Sequence, residues 1–202
     1  MSEKLIRDFM MLWATIDPIG TLSLFLGVTA AYSAQQRKSI ALRCIAYSAI
    51  ILLATIIVGQ LLLDAMGISL PSFQIAGSAI LFLFGLQMIF GSAAPKKTEE
   101  DEPHDVAVFP LAIPSIASPG AIMAVTLATD NDQFEIVEQA ATAVTMLLVL
   151  AITGAMLLAA ERIHRVIGNN GAAILVRVMG MILAALATES LIEGITLALA
   201  AQ

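Results

Sequence analysis

An acidic residue, a proline and a glycine stand together inside a long apolar run at Asp17-Pro18-Ile19-Gly20, and Ser118-Pro119-Gly120 stands inside another. Proline removes a backbone donor and clashes with the preceding turn, so each stretch can split a helix. In lipid the freed carbonyls need partners within the protein, which confines such a break to a protein-facing or wet position. A half-helix that starts there offers free N–H groups and partial positive charge to an anion, and a substrate carboxylate suits that end. Asp17 adds an ionisable group at a depth where such groups are functional candidates. It could meet a substrate ammonium, carry a coupling proton, or cap the new helix by accepting exposed N–H groups. Ser118 occupies the matching position and is also a good cap, which favours capping for part of the role.

A second polar group lies near the C-terminus. Thr188, Glu189 and Ser190 interrupt an apolar run, and a patch of this kind is expected to face the bundle interior. Glu189 is therefore the second ion-coupling candidate beside Asp17. Glu193, four residues on, shares its face and is expected to reach the membrane interface. Arg177 is expected to snorkel or to pair with a carboxylate. Gln74 and Gln87 are weaker polar candidates. The substrate-binding set is thus Asp17, Pro18, Gly20, Ser118, Pro119, Gly120, Thr188 and Glu189.

The elements that must hold these residues follow from composition. The 202 residues are 59% hydrophobic and only 13% charged, against roughly 45–50% and about 25% in soluble domains. Mean hydropathy is +0.91. Too little polar surface remains to meet water, so the chain is read as an all-α, polytopic membrane protein. Net charge of −6 argues against nucleic acid, which needs excess Lys and Arg. Cys44 is the single cysteine, so neither a disulfide frame nor a thiolate metal site is available. The first apolar run is longer than a signal-peptide core and has no A-x-A-like end, so no cleavable signal is expected.

Six segments meet the span length of about 20 apolar residues, at roughly 5–32, 40–63, 73–90, 106–129, 137–160 and 172–200, the third being short. "GSAAPKKTEEDEPHD" is the one extended polar connection, and "ERIHRVIGNNG" reads as the last loop. Arg37, Lys38, Arg43, Lys96, Lys97, Arg162 and Arg165 fall in or beside the first, third and fifth loops, whereas only Lys4 and Arg7 fall on the other side. The excess of basic residues sets those three loops in the cytoplasm and both termini outside.

"TIDPIGTLS" aligns with "IASPGAIMA", matching Pro18 to Pro119, and "FQIAGSAILFLFGLQMI" aligns with "VRVMGMILAALATESLI", matching Gly77 to Gly180. The reading is two three-helix repeats, 1–91 and 106–202, joined by a cytoplasmic linker at 92–105. The first and fourth helices are interrupted at the Pro-Gly motifs. Three spans per repeat force the second copy to enter from the opposite side. Inverted repeats with discontinuous helices at corresponding positions are a transporter signature.

Enzyme chemistry finds no support. His104 and His164 lie in cytoplasmic loops, and there is no G-x-S-x-G elbow, nucleophile–base pair, or metal-ligand spacing in "EEDEPHD". No cofactor or metal is called for. The expected partners are the lipid bilayer and a small polar solute, and a homo-oligomer stays open. A passive channel on the same repeat, and a non-transporting scaffold or sensor reading a ligand through the linker, also stay open beside a transporter.

These motifs resemble the MarC-related integral membrane proteins, a family that includes the SnatA-type small neutral amino acid transporters. The family's N-P-x-G corresponds to "DPIG", its G-I-S…F-R-I-A-G-G to "GISLPSFQIAGS", and its P-L-A-x-P…A-G-P-G-A-I to "PLAIPSIASPGAI". Its late R-x-M-G corresponds to "RVMG" and its final G-I to Gly194-Ile195. The resemblance covers essentially the whole chain. It implies a six-span prokaryotic inner-membrane protein, with neutral amino acids as the substrate class. Three departures stand out: Asp17 for the usual Asn, Ser118 for a glycine, and Gln74 for a common Arg.

Overall fold

A computed structural model of the chain describes residues 2–91 and 105–200. Its regular elements are all helical: α1 (Ser2–Ile16), α2 (Pro18–Val28), α3 (Ala34–Ala65), α4 (Leu70–Phe90), a wide-turned segment Ala107–Ile116, α5 (Pro119–Ala128), α6 (Ile136–Leu158) and α7 (Ala160–Ala200). The first two run on as one apolar span, Glu3–Val28. Ala34–Ala65, Leu70–Phe90, Ile136–Leu158 and Ala173–Ala200 are also long and apolar enough to cross a bilayer. Ala107–Ile116 and α5 meet at 53° and make a sixth span if the bent pair crosses as a unit.

Local chemistry places most helix ends. Ser33 and Gln36 form a reciprocal capping box at the start of α3, and Glu135 and Glu138 form another at α6. Ser69 caps α4, which has Pro71 in its first turn, where the missing N–H costs nothing. Between α3 and α4 the chain reverses at Gly67, whose φ of 66° needs a glycine. The third span is therefore 21 residues long rather than short. "ERIHRVIGNNG", expected as a loop, is helical up to and beyond a break at Gly168. Spaced Ile163 and Val166 among charged residues give that stretch a helical repeat that its overall polarity hides. The expected linker at 92–105, with Lys96, Lys97 and His104, lies outside the described residues except for Asp105.

The main core gathers Leu12, Ile16, Phe25, Leu52, Leu111, Ile116 and Met146, all essentially sealed. A smaller core of Leu81, Met123, Leu183 and Ala187 lies beneath α4 and α7. The closest approach joins those two helices. A Cβ on Gly85 would stand 2.9 Å from the Gly180 carbonyl, and one on Gly180 would stand 2.8 Å from the Gly85 carbonyl. Small residues permit such contact where burying apolar area drives nothing. The outside is apolar: Ile57 is 78% exposed and Phe90 81%. Side chains of this kind suit hydrocarbon rather than water.

Contacts between the two halves follow a pattern. α3 lies against Ala107–Ile116 and α5, while α6 lies against α1 and α2. α4 packs on α5, and α7 packs on α2. One end of the bundle is fastened by Arg37 to Glu161 at 2.7 Å and by Arg43 to Asp105 at 2.6 Å.

Candidate functional site

The two breaks use the same cap. Asp17 precedes Pro18, and its Oδ1 accepts from the Gly20 N–H at 3.0 Å. Ser118 precedes Pro119, and its Oγ accepts from the Ala121 N–H at 3.0 Å. In both, the cap serves the third residue of the new helix and proline occupies the first, where its fixed φ is ready for the helix. Capping accounts for the hydrogen bond that the Asp17 side chain makes among the described residues.

Splitting a helix orphans carbonyls, and hydroxyls answer them here. Thr15, at the end of α1, has its carbonyl paired with Ser118 Oγ at 3.0 Å. The Ile16 carbonyl accepts from Thr21 Oγ1 at 3.4 Å. Thr21 Oγ1 also lies 2.9 Å from Ser115 Oγ. The breaks therefore touch: a cap of the second satisfies a carbonyl freed by the first. Thr15, Asp17, Thr21, Ser115 and Ser118 are all buried, so a knot of hydroxyls and one carboxylate sits inside the apolar bundle.

The glycines beside the caps are hemmed in. A Cβ on Gly20 would overlap the Asp17 carboxylate and reach Met88 Cε at 3.0 Å. A Cβ on Gly120 would overlap Leu81 Cδ1. Pro18 is buried, whereas Pro119 is exposed.

Thr188 and Glu189 are placed differently from expectation. Both are exposed rather than turned to the interior. α7 buries Gly180, Leu183, Ala187 and Gly194, a stripe spaced three, four and seven residues apart. At about 100° per residue, Glu189 stands some 200° from Ala187 and so faces away. Thr188 bonds back to the Ala184 carbonyl of its own helix at 2.8 Å. The interior polar contact of α7 is made instead by buried Gln74, whose Nε2 donates to the Ser190 carbonyl and to Glu193 Oε2, each at 3.1 Å. Arg177 and Gln87 are exposed.

Two buried acids escape a reading guided by apolar runs. Asp130 is 3% exposed and accepts from Gln60 and Gln133. Asp8 is 1% exposed, and its one sequence signal is Lys4 at the i,i+4 spacing of a helical ion pair.

Fold and site together define a class: an all-helical, multi-pass membrane protein whose bundle is built around two touching helix breaks. The sequence matches the profile described as MarC family integral membrane protein over residues 2–199. The chain belongs to that family. It is 34% identical over 198 residues to a UPF0056 membrane protein of Methanocaldococcus jannaschii, covering 96% of each chain. It is 32% identical over 193 residues to a UPF0056 membrane protein of Archaeoglobus fulgidus, covering 93% of this chain and 90% of that one. It is 31% identical over 194 residues to the UPF0056 inner membrane protein MarC of Escherichia coli, covering 89% and 88%. No solved structure gives a significant match.

Proposed function

We propose that this protein is an inner-membrane transporter of small polar solutes, with neutral amino acids as the leading class, working by alternating access around the crossing of the two breaks. The observation that carries this reading is the contact itself. Broken helices are tolerated at membrane depth where they line a cavity or bury in protein, and here two of them meet through Ser118 and Thr15. Exchange of packing partners between the halves supports an inverted three-plus-three repeat of six spans, and the excess of Lys and Arg in the first, third and fifth connections favours both termini outside. In that arrangement substrate sites lie where the interrupted helices face each other.

The two ends are chemically unequal. A helix N-terminus leaves four N–H groups without intrahelical partners. At α2 the Asp17 carboxylate already answers the positive end. At α5 the cap is the neutral Ser118, which leaves that end free to attract an anion. A zwitterion would then lie with its carboxylate toward Gly120 and its ammonium toward Asp17. Reconstituted liposomes test the proposal. Saturable uptake and counterflow of small neutral amino acids are expected, reduced in Asp17→Asn. Absence of flux across an amino acid panel, with or without a pH gradient, overturns it, and flux without saturation or counterflow identifies a channel instead.

A further inference from the structure

Away from the breaks, four cation-binding groups converge on one atom. Lys4 Nζ lies 2.7 Å from Asp8 Oδ2, 2.7 Å from Thr142 Oγ1 and 3.2 Å from the Ala128 carbonyl. The Phe134 ring lies beneath it, 4.2 Å from nitrogen to centroid, in range for cation–π attraction. The contributing residues belong to α1, the C-terminus of α5, α6 and the turn that joins α5 to α6. Thr142 Oγ1 stands 2.6 Å from Asp8 Oδ2, so its one proton goes to the carboxylate and its lone pairs face the ammonium. Asp8 Oδ1 is buried with no hydrogen-bond partner among the described residues. The Lys4 ammonium meets Oδ2 and leaves the hydrogen-bonding capacity of Oδ1 unused, and an unpartnered buried carboxylate oxygen calls for an explanation.

We propose that this cage is a monovalent-cation site whose resident occupant is the chain's own Lys4 ammonium, a tethered cation replaceable by a free one of similar size. Size and charge select the ligand class. Oxygens at 2.7–3.2 Å match an ammonium hydrogen-bond shell and are too distant for magnesium at about 2.0–2.1 Å or calcium at about 2.3–2.6 Å. One carboxylate with neutral oxygens balances a single positive charge. Lys4 lies in the first turns of α1, its side chain is 11% exposed, and its flexible stem can swing the ammonium outward while the cage stays in place. The inference rests on the cage alone and stands whether or not the breaks carry a solute.

Removing the tether provides the test. Purified full-length Lys4→Met is unfolded thermally in potassium, ammonium, methylammonium or choline chloride at matched ionic strength. Its midpoint is expected below wild type in choline and to rise saturably, by several degrees, in the smaller cations, as binding to the folded state requires. Wild type is expected to stay flat, and so is Lys4→Met combined with Asp8→Asn. A response to ammonium and methylammonium alone assigns the cage to amines, and one that includes potassium assigns it to any cation of that size. Equal response to choline, no response, or an equal response in wild type overturns the proposal. A second measurement keeps Lys4 in place: acylation of its amine, read by peptide mass spectrometry, is expected to rise about tenfold in Thr142→Val, as loss of a hydrogen bond to a charged group implies. An unchanged rate also overturns the proposal.

Discussion

The first break and the second solve one problem by different routes. At the first, a single residue leaves the helix. Asp17 adopts φ 48° and ψ 71°, yet its N–H still reaches the Trp13 carbonyl at 3.1 Å and its carbonyl still accepts from Thr21 at 2.9 Å. The span continues almost undisturbed. Left-handed backbone costs most residues about 1–2 kcal/mol, and Asp, whose short side chain can hydrogen-bond locally, is among the few that visit it occasionally. At the second break the approach itself is irregular. Pro110 and Pro114 push Phe109 and Ile113 into extended backbone, both at φ −126°, as the residue before proline prefers. Ser118 then takes an ordinary extended cap conformation, φ −72° and ψ 158°. The first half concentrates its departure from the helix on one left-handed acid, whereas the second spreads it over extended residues ahead of two prolines. The contrast shows that what the halves share is the cap and its proline, not the path that leads to them.

Three experiments would break or sharpen that contrast, the first with the largest expected effect. Ser118 serves two masters, its own helix and the Thr15 carbonyl. Ser118→Ala should lose about 1 kcal/mol of capping and a further ~1–3 kcal/mol for the buried carbonyl left unpaired. Asp17→Ala should lose about 2 kcal/mol, combining a cap with the left-handed penalty, whereas Asp17→Asn should lose only a few tenths because Asn caps as well. Denaturant titration in micelles reads all three. If Asp17→Asn proves as damaging as Asp17→Ala, the first break needs the charge and not merely the cap.

Next come the paired glycines. Gly20→Ala forces the Asp17 carboxylate off its cap, so it should cost about 2 kcal/mol from capping and overpacking together. Gly120→Ala crowds the Leu81 side chain alone and gains helix propensity in part compensation, so about 1 kcal/mol is expected. Thermal unfolding of the two variants side by side checks the order. A reversed order would mean that the crowding at Leu81, not the carboxylate cap, is the tighter constraint. The smallest effect concerns α7. Glu189→Gln should leave both the unfolding midpoint and solute flux unchanged, since Glu189 faces away from the crossing. Loss of flux would return it to the site.

Much of this protein could be read in one dimension. The capping residues at 17, 33, 69 and 118 each act on the N–H three positions on, so type and spacing are the local signal of a cap. The spans follow from length and hydropathy, because a bilayer admits no exposed backbone polar groups. Facing was illegible. A helix that meets apolar protein on one side and apolar lipid on the other carries little periodic signal, so the sequence of α7 does not say which way Glu189 faces; Asp8 stands among the charged residues that open α1, where a reading guided by apolar runs passes over it. Meeting was equally illegible: Ser118 finds the Thr15 carbonyl 103 residues away, and Thr142 finds Asp8 across 134.

The sequence by itself determined that the chain lies in a membrane, where its helices break, and which residues cap the breaks, because those are consequences of local backbone chemistry and of apolar length. Only the tertiary structure decided that the breaks touch, that Lys4 sits in a cage of oxygens, and that Glu189 looks outward. Those outcomes depend on how helices rotate and cross. In this bundle that is decided by the close approach of glycines such as Gly85 and Gly180 and by hydroxyls that reach the carbonyls of Thr15 and Ile16 freed at the first break.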